Sequence, residues 1–235
     1  MIAIIDYGMG NLRSVSKAFE AIGARVEVTN DPSAIRAAKA VVLPGVGAFA
    51  RGMKNLNQLR LTHLLNQTIE EGRPFLGICL GLQLLFTESQ EHGSHKGLDV
   101  IKGKVRRFGP GVKIPQMGWN TVKKVTSHTL TGTSKSQVTS KNLKTSVGNA
   151  ELFWDVPDNS YFYFVHSYFV EPEDKRVVIA TTKYGEEFTS AIRKKNVFGV
   201  QFHPEKSSDL GLKVLANFLK LSKGNQQSEK ENSKS

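Results

Sequence analysis

The residues best suited to chemistry centre on Cys79, the only cysteine among 235 residues. It stands in the segment GICLGLQ (77–83), between Gly77 and Gly81, directly after an apolar run. This pattern predicts a strand that turns sharply into a helix, with the thiol held at the turn as a nucleophile. The backbone N–H of Leu80 would then face an oxyanion formed on a substrate carbonyl. A free cysteine also packs as a small apolar side chain, and the segment alone does not decide between the two.

A thiol nucleophile needs a base, and His203 is the best placed of the six histidines. It lies near the end of the apolar segment GVQFHPE (199–205), two residues before Glu205. Residues i and i+2 of an extended chain point to the same side, so Glu205 can hold the imidazole in one tautomer. The alternative is a histidine exposed by chance at the end of a strand. We therefore predict a triad of Cys79, His203 and Glu205.

A second loop offers backbone N–H groups to the same substrate. The segment LPGVGAF (43–49) places a glycine on each side of Val46, after an apolar run. Glycine lets the backbone approach a ligand closely, so Val46 joins Leu80 as a predicted oxyanion-hole residue. A plain strand-ending turn explains the same residues. A phosphate loop is not indicated, because no Gly-Lys-Ser/Thr follows.

These residues need a scaffold, and the first ninety residues alternate strand-like and helix-like segments. Predicted strands are MIAIID (1–6), ARVEV (24–28), AVVLPG (40–45) and PFLGIC (74–79). Predicted helices cover 12–22, capped by Asn11, then 53–71 and 80–89. Such alternation predicts a largely parallel sheet with helices on both faces.

The second half has a β pattern. Predicted strands include 98–108, the aromatic run YFYFVHSYFV (161–170) and a meander over 176–203, followed by a final helix over 211–221. The predicted fold class is thus one α/β domain over 1–221, with a mostly parallel central sheet flanked by helices and an antiparallel β extension. The basic, Ser/Thr-rich segment 126–150 is predicted to be mobile and the polar tail 222–235 disordered, because neither buries enough apolar surface.

Composition excludes several classes of protein. The net charge is +11, and 121–150 contains no acidic residue, but no nucleic-acid motif accompanies these lysines. We therefore predict a solvated basic surface and no nucleic-acid partner. A single cysteine excludes a disulfide framework and a cysteine-rich metal site. No signal peptide and no membrane span are evident, so the sequence predicts a cytoplasmic protein.

Three segments, GICLGLQ, LPGVG and GVQFHPEKS, together resemble the class I, or triad, glutamine amidotransferases. IDYGMGNLRSV (5–15), PQMGWN (115–120) and FYFVHSY (162–168) are similar to the glutaminase subunits of imidazole glycerol phosphate synthases, enzymes of histidine biosynthesis. The resemblance covers 1–125 and 151–221. The stretch 126–150 and the polar tail depart from it.

The resemblance implies an enzyme that hydrolyses L-glutamine to glutamate and ammonia, with no metal and no cofactor. Cys79 would be the nucleophile, His203 the acid and base, and Glu205 the residue that orients it. The implied glutamine-binding residues are Gly47, Gln83, His166, Ser167 and Tyr168. Gln83 lies one helical turn beyond Cys79 and is polar among apolar neighbours, which supports this independently. For His166 the sequence alone favours a core histidine packed among aromatic rings.

The resemblance also implies a partner. The ammonia would pass, within a heterodimer, to a (β/α)₈-barrel cyclase that makes imidazole glycerol phosphate and aminoimidazole carboxamide ribotide. The implied docking residues are Asn11, Met117, Trp119, Asn120, Tyr163 and Lys206. A core tryptophan and a solvated lysine remain alternatives for Trp119 and Lys206. Alternative functions are an ammonia-supplying subunit for amidino-sugar formation, a stand-alone thiol hydrolase and a scaffolding subunit without turnover.

Overall fold

The structure, a computed structural model, describes residues 1–125 and 148–232. Its strands are β1 (Ile2–Ile5), β2 (Val26–Thr29), β3 (Ala40–Gly45), β4 (Phe75–Cys79), β5 (Phe86–Ser89), β6 (His95–Lys96), β7 (Ile101–Arg107), β8 (Gln116–Lys124), β9 (Ser160–His166), β10 (Tyr168–Pro172), β11 (Val178–Tyr184), β12 (Glu186–Lys194) and β13 (Val197–Val200). Its α-helices are α1 (Leu12–Ala21), α2 (Pro32–Ala37), α3 (Phe49–Gln58), α4 (Leu61–Glu70), α5 (Leu80–Leu84) and α6 (Ser208–Asn232). Short 3₁₀ helices cover Gly148–Phe153, Lys175–Val177 and Pro204–Lys206.

Parallel strands form the centre of the sheet, in the order β2, β1, β3, β4, β13. All residues of β1, β3, β4 and β13 are buried. Strands that are buried on both faces are continuous apolar runs in sequence, and the strands predicted at 1–6, 40–45 and 74–79 are confirmed as β1, β3 and β4. Because these strands are parallel, their carboxyl ends meet at one edge of the sheet.

Alternate side chains of these strands enter two separate cores. On one face Ile4 packs with Phe19 of α1 and Phe218 of α6, whose ring centroids are 6.4 Å apart. On the other face Ile5 packs with Phe49 of α3 and Leu64 of α4. The predicted layering, with helices on both faces of the sheet, is confirmed.

The second half adds antiparallel strands. β12 pairs antiparallel with β13, β11 and β10, and β10 continues the sheet through an antiparallel pairing with β7. β8 and β9 pair antiparallel and join the rest through β11. The predicted antiparallel extension of an α/β domain is therefore confirmed.

Two predicted helices are wrong in extent. The helix predicted over 53–71 is two helices, α3 and α4, separated by Arg60 in the left-handed region at φ 58°. The helix predicted over 80–89 ends at Leu84, and Phe86–Ser89 is instead strand β5, which pairs with β7 and β6. Pairing with β6 and β7 outweighs the local helical pattern there.

Other boundaries also differ from prediction. The aromatic run 161–170 is two strands separated by Ser167, because β9 pairs with β8 whereas β10 pairs with β7 and β12. The last helix is longer than the predicted 211–221, since it begins at Ser208 and ends at Asn232. Lysine, glutamine and glutamate dominate the sequence beyond Leu221, and these residues favour a helix. Helix α2, capped by Asp31, was not predicted.

The predicted N-cap of α1 is confirmed, because Asn11 Oδ1 accepts a hydrogen bond from the backbone N–H of Ser14 at 3.4 Å. Most of the segment predicted to be mobile, 126–147, lies outside the described residues. Over the ranges that the structure does describe, no helix combines the length and apolar character needed to cross a bilayer.

Candidate active site

Cys79 ends β4 at the carboxyl edge of the sheet, and α5 begins at the next residue. Its backbone has φ 54° and ψ −108°, a conformation that costs a non-glycine residue on the order of 1–3 kcal/mol. The flanking glycines make the turn possible. A Cβ at Gly81 would collide with the backbone carbonyl of Leu43, and one at Gly77 would lie 2.7 Å from the carbonyl oxygen of Gly81. The strained strand-to-helix turn expected from the sequence is present.

His203 reaches the same edge from the chain that follows β13. Its Nδ1 lies 2.8 Å from Oε1 of Glu205, and each of these side chains is only 2% exposed. The extended chain expected to join them ends at His203, and Pro204–Lys206 is a 3₁₀ turn. The turn still places the carboxylate behind the ring. The hydroxyl of Ser207 donates to the carbonyl oxygen of His203 at 2.6 Å and fixes the turn from within.

Charge around the imidazole favours its protonated form. Burial lowers the pKa of His203, but the negative charge of Cys79 and the carboxylate of Glu205 outweigh burial and raise that pKa above its usual 6.5. The other ring nitrogen, Nε2, is buried and has no hydrogen-bond partner of its own among the described residues. An anionic sulfur at Cys79 therefore keeps His203 protonated.

Beside Cys79 lies a pocket of about 300 Å³. It brings together both predicted oxyanion-hole residues, all five predicted substrate-binding residues and three residues that were not predicted. Its lining is Val46, Gly47, Cys79, Leu80, Gln83, Glu91, Pro115, Val165, His166, Ser167 and Tyr168. The pocket is about the smallest size expected for a small-molecule site.

Gln83 projects from α5 into this region and is 6% exposed. Its Nε2 donates to the carbonyl oxygen of Tyr168 at 2.8 Å and to Oε1 of Gln201 at 3.1 Å. Both amide hydrogens are therefore committed within the protein. The Oε1 atom of Gln83 is the part of the side chain available to a donor on a ligand.

Sequence reasoning missed Glu91, whose carboxylate reaches the pocket from the chain after β5. Its Oε2 accepts a hydrogen bond from the backbone N–H of Phe49 at 2.6 Å. A fixed carboxylate in a pocket this small can bind a ligand ammonium group. This contact joins residues 42 positions apart, and no local pattern around Glu91 signals it.

His166 is buried among Phe108, Phe164 and Phe188, so the core packing favoured by the sequence is present. It nevertheless lines the pocket as well. Burial lowers the pKa of His166 to about 4, even though its Nδ1 lies 2.8 Å from the carbonyl oxygen of Tyr168. A neutral ring with a proton on Nδ1 donates this bond and leaves Nε2 without a partner among the described residues.

The loop after β3 contributes Val46 and Gly47 to the lining of the pocket. Val46 is 38% exposed, and Gly47 has φ 108°, a value that favours glycine. Behind the loop the buried Tyr7 hydroxyl packs against Gly45, and a Cβ on Gly45 would collide with it. Burial, reinforced by the charge of Cys79, raises the pKa of Tyr7, so the phenol stays neutral.

Five of the six predicted docking residues lie on β8, β9 and the turn after His203, and Asn11 lies at the start of α1. Met117 is 65% exposed and Trp119 is 51% exposed, so the alternative of a core tryptophan is wrong. The ring of Tyr163 lies 6.1 Å from that of Trp119 and 5.8 Å from Nζ of Lys206. Asn120 donates to the carbonyl oxygen of Lys183, while Asn11 is exposed at the start of α1.

A larger cavity of about 640 Å³ lies at the other end of the parallel strands, next to Pro74 and Asn196. The described residues that line it include none of the predicted site residues. Over 1–125 and 148–232, no group of three or more His, Cys, Asp and Glu side chains is arranged to hold a metal ion.

Comparison with known proteins gives one family. Residues 3–221 match the family described as Glutamine amidotransferase class-I. Imidazole glycerol phosphate synthase subunit HisH of Moorella thermoacetica is 50% identical over 220 residues, which are 94% of this chain and 94% of the relative. The subunit of the same name from Methanothermobacter thermautotrophicus is 50% identical over 221 residues, or 94% of this chain and 98% of the relative.

Solved structures agree on the fold. A crystal structure of a glutamine amidotransferase has a TM-score of 0.68 at 16% identity and covers 94% of this chain and 99% of that one. A chain of PurLQS from Thermotoga maritima has a TM-score of 0.63 at 17% identity, covering 94% and 97%. The chain therefore belongs to the class-I glutamine amidotransferase family, in the group of imidazole glycerol phosphate synthase HisH subunits.

Proposed function

We propose that this chain hydrolyses L-glutamine through Cys79, His203 and Glu205, as the glutaminase subunit of an imidazole glycerol phosphate synthase. The observation that carries the proposal is the buried His203–Glu205 pair, together with a strained backbone at Cys79, whose thiol lines a small pocket. The charge of Cys79 raises the pKa of His203, as a thiolate–imidazolium pair requires.

The reaction follows from this arrangement. The thiolate of Cys79 attacks the side-chain carbonyl carbon of glutamine, and the oxygen becomes an oxyanion that the N–H groups of Val46 and Leu80 stabilise. Protonated His203 donates its proton to the leaving nitrogen, so ammonia departs and a thioester remains. Water then attacks the thioester while His203 accepts its proton, which releases glutamate and restores the thiolate of Cys79 beside protonated His203.

The pocket lining supplies groups for each polar part of the substrate. Glu91 would bind the α-ammonium group, because its carboxylate is held in the pocket by Phe49. Gln83 would accept a hydrogen bond from a substrate N–H through Oε1, since its own N–H groups are already used. The backbone of His166, Ser167 and Tyr168, together with Gly47, completes the binding site.

The ammonia would pass to a (β/α)₈-barrel cyclase that makes imidazole glycerol phosphate and aminoimidazole carboxamide ribotide in histidine biosynthesis. Support comes from relatives named imidazole glycerol phosphate synthase subunit HisH. The exposed surface formed by Met117, Trp119, Tyr163 and Lys206, with Asn11 and Asn120, is the proposed docking site. We place the heterodimer in the cytoplasm, where a free catalytic thiol stays reduced.

The test is glutamate release from glutamine by the purified chain, alone and with a histidine-pathway cyclase that carries its ribonucleotide ligand. We expect strong stimulation by the liganded cyclase and its complete loss in Cys79→Ala. Fast release without a partner would instead indicate a stand-alone hydrolase. Binding to the cyclase without turnover would indicate a scaffolding subunit. Stimulation only by a sugar-amidating partner would place the chain in that pathway.

A further inference from the structure

Gln201 is a fully buried polar side chain that the proposed reaction does not use, and it lies against the nucleophile. It follows β13, whose last residue Val200 is paired with Ile78 of β4, so Gln201 and Cys79 leave adjacent parallel strands side by side. Gln201 precedes His203 by two residues, and the chain bends at Gln201 and Phe202. Its Nε2 lies 3.6 Å from the sulfur of Cys79 and donates a hydrogen bond to it.

The direction of this hydrogen bond is set by its neighbours. The carbonyl oxygen of Tyr168 can only accept, so the amide of Gln83 turns its nitrogen toward Tyr168. The same nitrogen donates to Gln201, which must therefore present its oxygen to Gln83 at 3.1 Å. The nitrogen of Gln201 is then the atom that faces the sulfur. A flipped amide would bring two N–H groups of Gln83 and Gln201 together and an oxygen against Cys79.

We propose that Gln201 is a positioning residue for the nucleophile, one that donates a hydrogen bond to the Cys79 sulfur and thereby favours the thiolate. The inference rests on the proposed role of Cys79 as nucleophile. A hydrogen bond to a charged acceptor is about twice as strong as a neutral one. The Gln201 donor thus stabilises the sulfur most after the proton of the thiol has moved to His203. Because Gln201 also accepts a hydrogen bond from Gln83, it connects the sulfur to a residue of the binding pocket.

Other groups also act on this sulfur, and a pH measurement must take them into account. His203 and Glu205 act from the turn after β13, and Tyr7 acts from the segment after β1. The same pocket is lined by His166 from β9 and Glu91 from the chain after β5. Gln201 has no charge, so its replacement by methionine leaves all of these groups in place, while it removes the donor to the sulfur and the acceptor of the Gln83 amide.

The experiment measures the rate of Cys79 alkylation by iodoacetamide as a function of pH, in the full chain and in Gln201→Met. We expect the midpoint of the pH profile to rise by about one unit, and alkylation at pH values below the midpoint to fall about tenfold, because a hydrogen bond to a charged group is lost. With the liganded cyclase present, kcat should fall by a similar factor while KM stays within twofold. An unchanged pH profile and an unchanged kcat would overturn the inference.

Gln83→Met tests the same hydrogen bond from Gln201 to Cys79 by a second route. This test remains available if Gln201→Met does not fold. Without Gln83 the amide of Gln201 is free to flip, so the midpoint should again rise, by less than in Gln201→Met. The double variant should match Gln201→Met alone, because Gln83 acts only through Gln201. A midpoint unchanged in Gln83→Met, or a double variant whose shift is the sum of the two, would contradict the proposal.

The matched control is Ser190→Ala. Ser190 is fully buried on the neighbouring strand, and its carbonyl oxygen accepts the backbone N–H of Gln201, yet its hydroxyl makes no hydrogen bond among the described residues. The pH profile of Cys79 alkylation in Ser190→Ala should equal that of the unmodified chain. A shift as large as that in Gln201→Met would show that any change in this part of the core raises the midpoint. Alkylation needs no glutamine, so a shifted profile in a chain without glutaminase activity would refute the proposed function and leave the role of Gln201 standing.

Discussion

Nδ1 of His203 lies 2.8 Å from Oε1 of Glu205, within a side-chain pair that is almost completely buried. The other carboxylate oxygen of Glu205 has no hydrogen-bond partner among the described residues. A buried carboxylate with only one partner is costly unless that partner is charged. The pair therefore makes physical sense when His203 is protonated, which is the state that the charge of Cys79 promotes.

Glu205→Gln tests this relationship. The amide keeps the size of the side chain but loses its charge, so it holds the imidazole less firmly and no longer stabilises the imidazolium. We expect kcat for partner-stimulated glutamine hydrolysis to fall about 10³–10⁴-fold, with KM changed little. Steady-state glutamate release measures both constants. Glu88→Gln, on β5 and outside the pocket, should retain activity. A loss of kcat below tenfold in Glu205→Gln would exclude Glu205 as an essential orienting residue.

His166 predicts how stability depends on pH. Burial lowers its pKa to about 4 in the folded chain, against about 6.5 when unfolded, so between these values the unfolded state binds more protons. The free energy of unfolding should therefore decrease as pH falls from 6.5 toward 4, by about 3 kcal/mol from this residue. Urea unfolding at pH 7 and pH 4.5 measures this decrease in the free energy of unfolding.

The control for that measurement is a pair of variants. His166→Asn, whose amide can replace the donor to Tyr168, should reduce the loss of stability on acidification. His63→Asn, at an exposed position of α4, should leave it unchanged. An identical pH dependence in all three chains would show that His166 is not the group that titrates. His203 contributes with the opposite sign, because its raised pKa gives stability below pH 6.5 that is lost at higher pH.

The sequence was most informative where local geometry alone determines the structure. The apolar runs ending at Gly45 and Cys79 mark buried parallel strands, and the glycines around Cys79 mark the tight turn. The period of two was a weaker guide, because Glu205 reaches His203 through a 3₁₀ turn and the chain bends at Gln201.

The predictions that were wrong or incomplete concern residues whose conformation depends on contacts with other parts of the chain. Phe86–Ser89 continues a helical pattern, yet it is a strand because β7 pairs with it. Ser167 separates two strands within one aromatic run, because β9 and β10 have different neighbours. Glu91 lines the pocket with its carboxylate bound to the backbone N–H of Phe49. None of these long-range contacts has a signature in a single sequence.

Two glycines that pack against the same region should respond in opposite ways to alanine. In Gly81→Ala the new Cβ meets the backbone carbonyl of Leu43, which cannot move aside, so we expect destabilisation by about 3 kcal/mol or more. In Gly52→Ala, within α3, the Cβ would lie 3.4 Å from side-chain atoms of Leu80 and Leu84, an ordinary contact. Alanine should stabilise that helix by about 0.5–1 kcal/mol. The free energies of unfolding of both variants, measured in urea, test this expectation. Equal destabilisation of the two variants would refute the packing argument.

The two tryptophans of this chain allow a matched test of the proposed docking surface. Trp119 and Trp154 are both exposed, at 51% and 62%, but Trp119 lies on β8 beside Tyr163, whereas Trp154 lines the cavity at the opposite end of the parallel strands. Large aromatic side chains at the centre of an interface contribute on the order of 2 kcal/mol or more to binding. Trp119→Ala should therefore weaken cyclase binding at least about 30-fold by calorimetry, while Trp154→Ala stays within about twofold. The reverse result would move the docking surface to the other end of the sheet, far from Cys79.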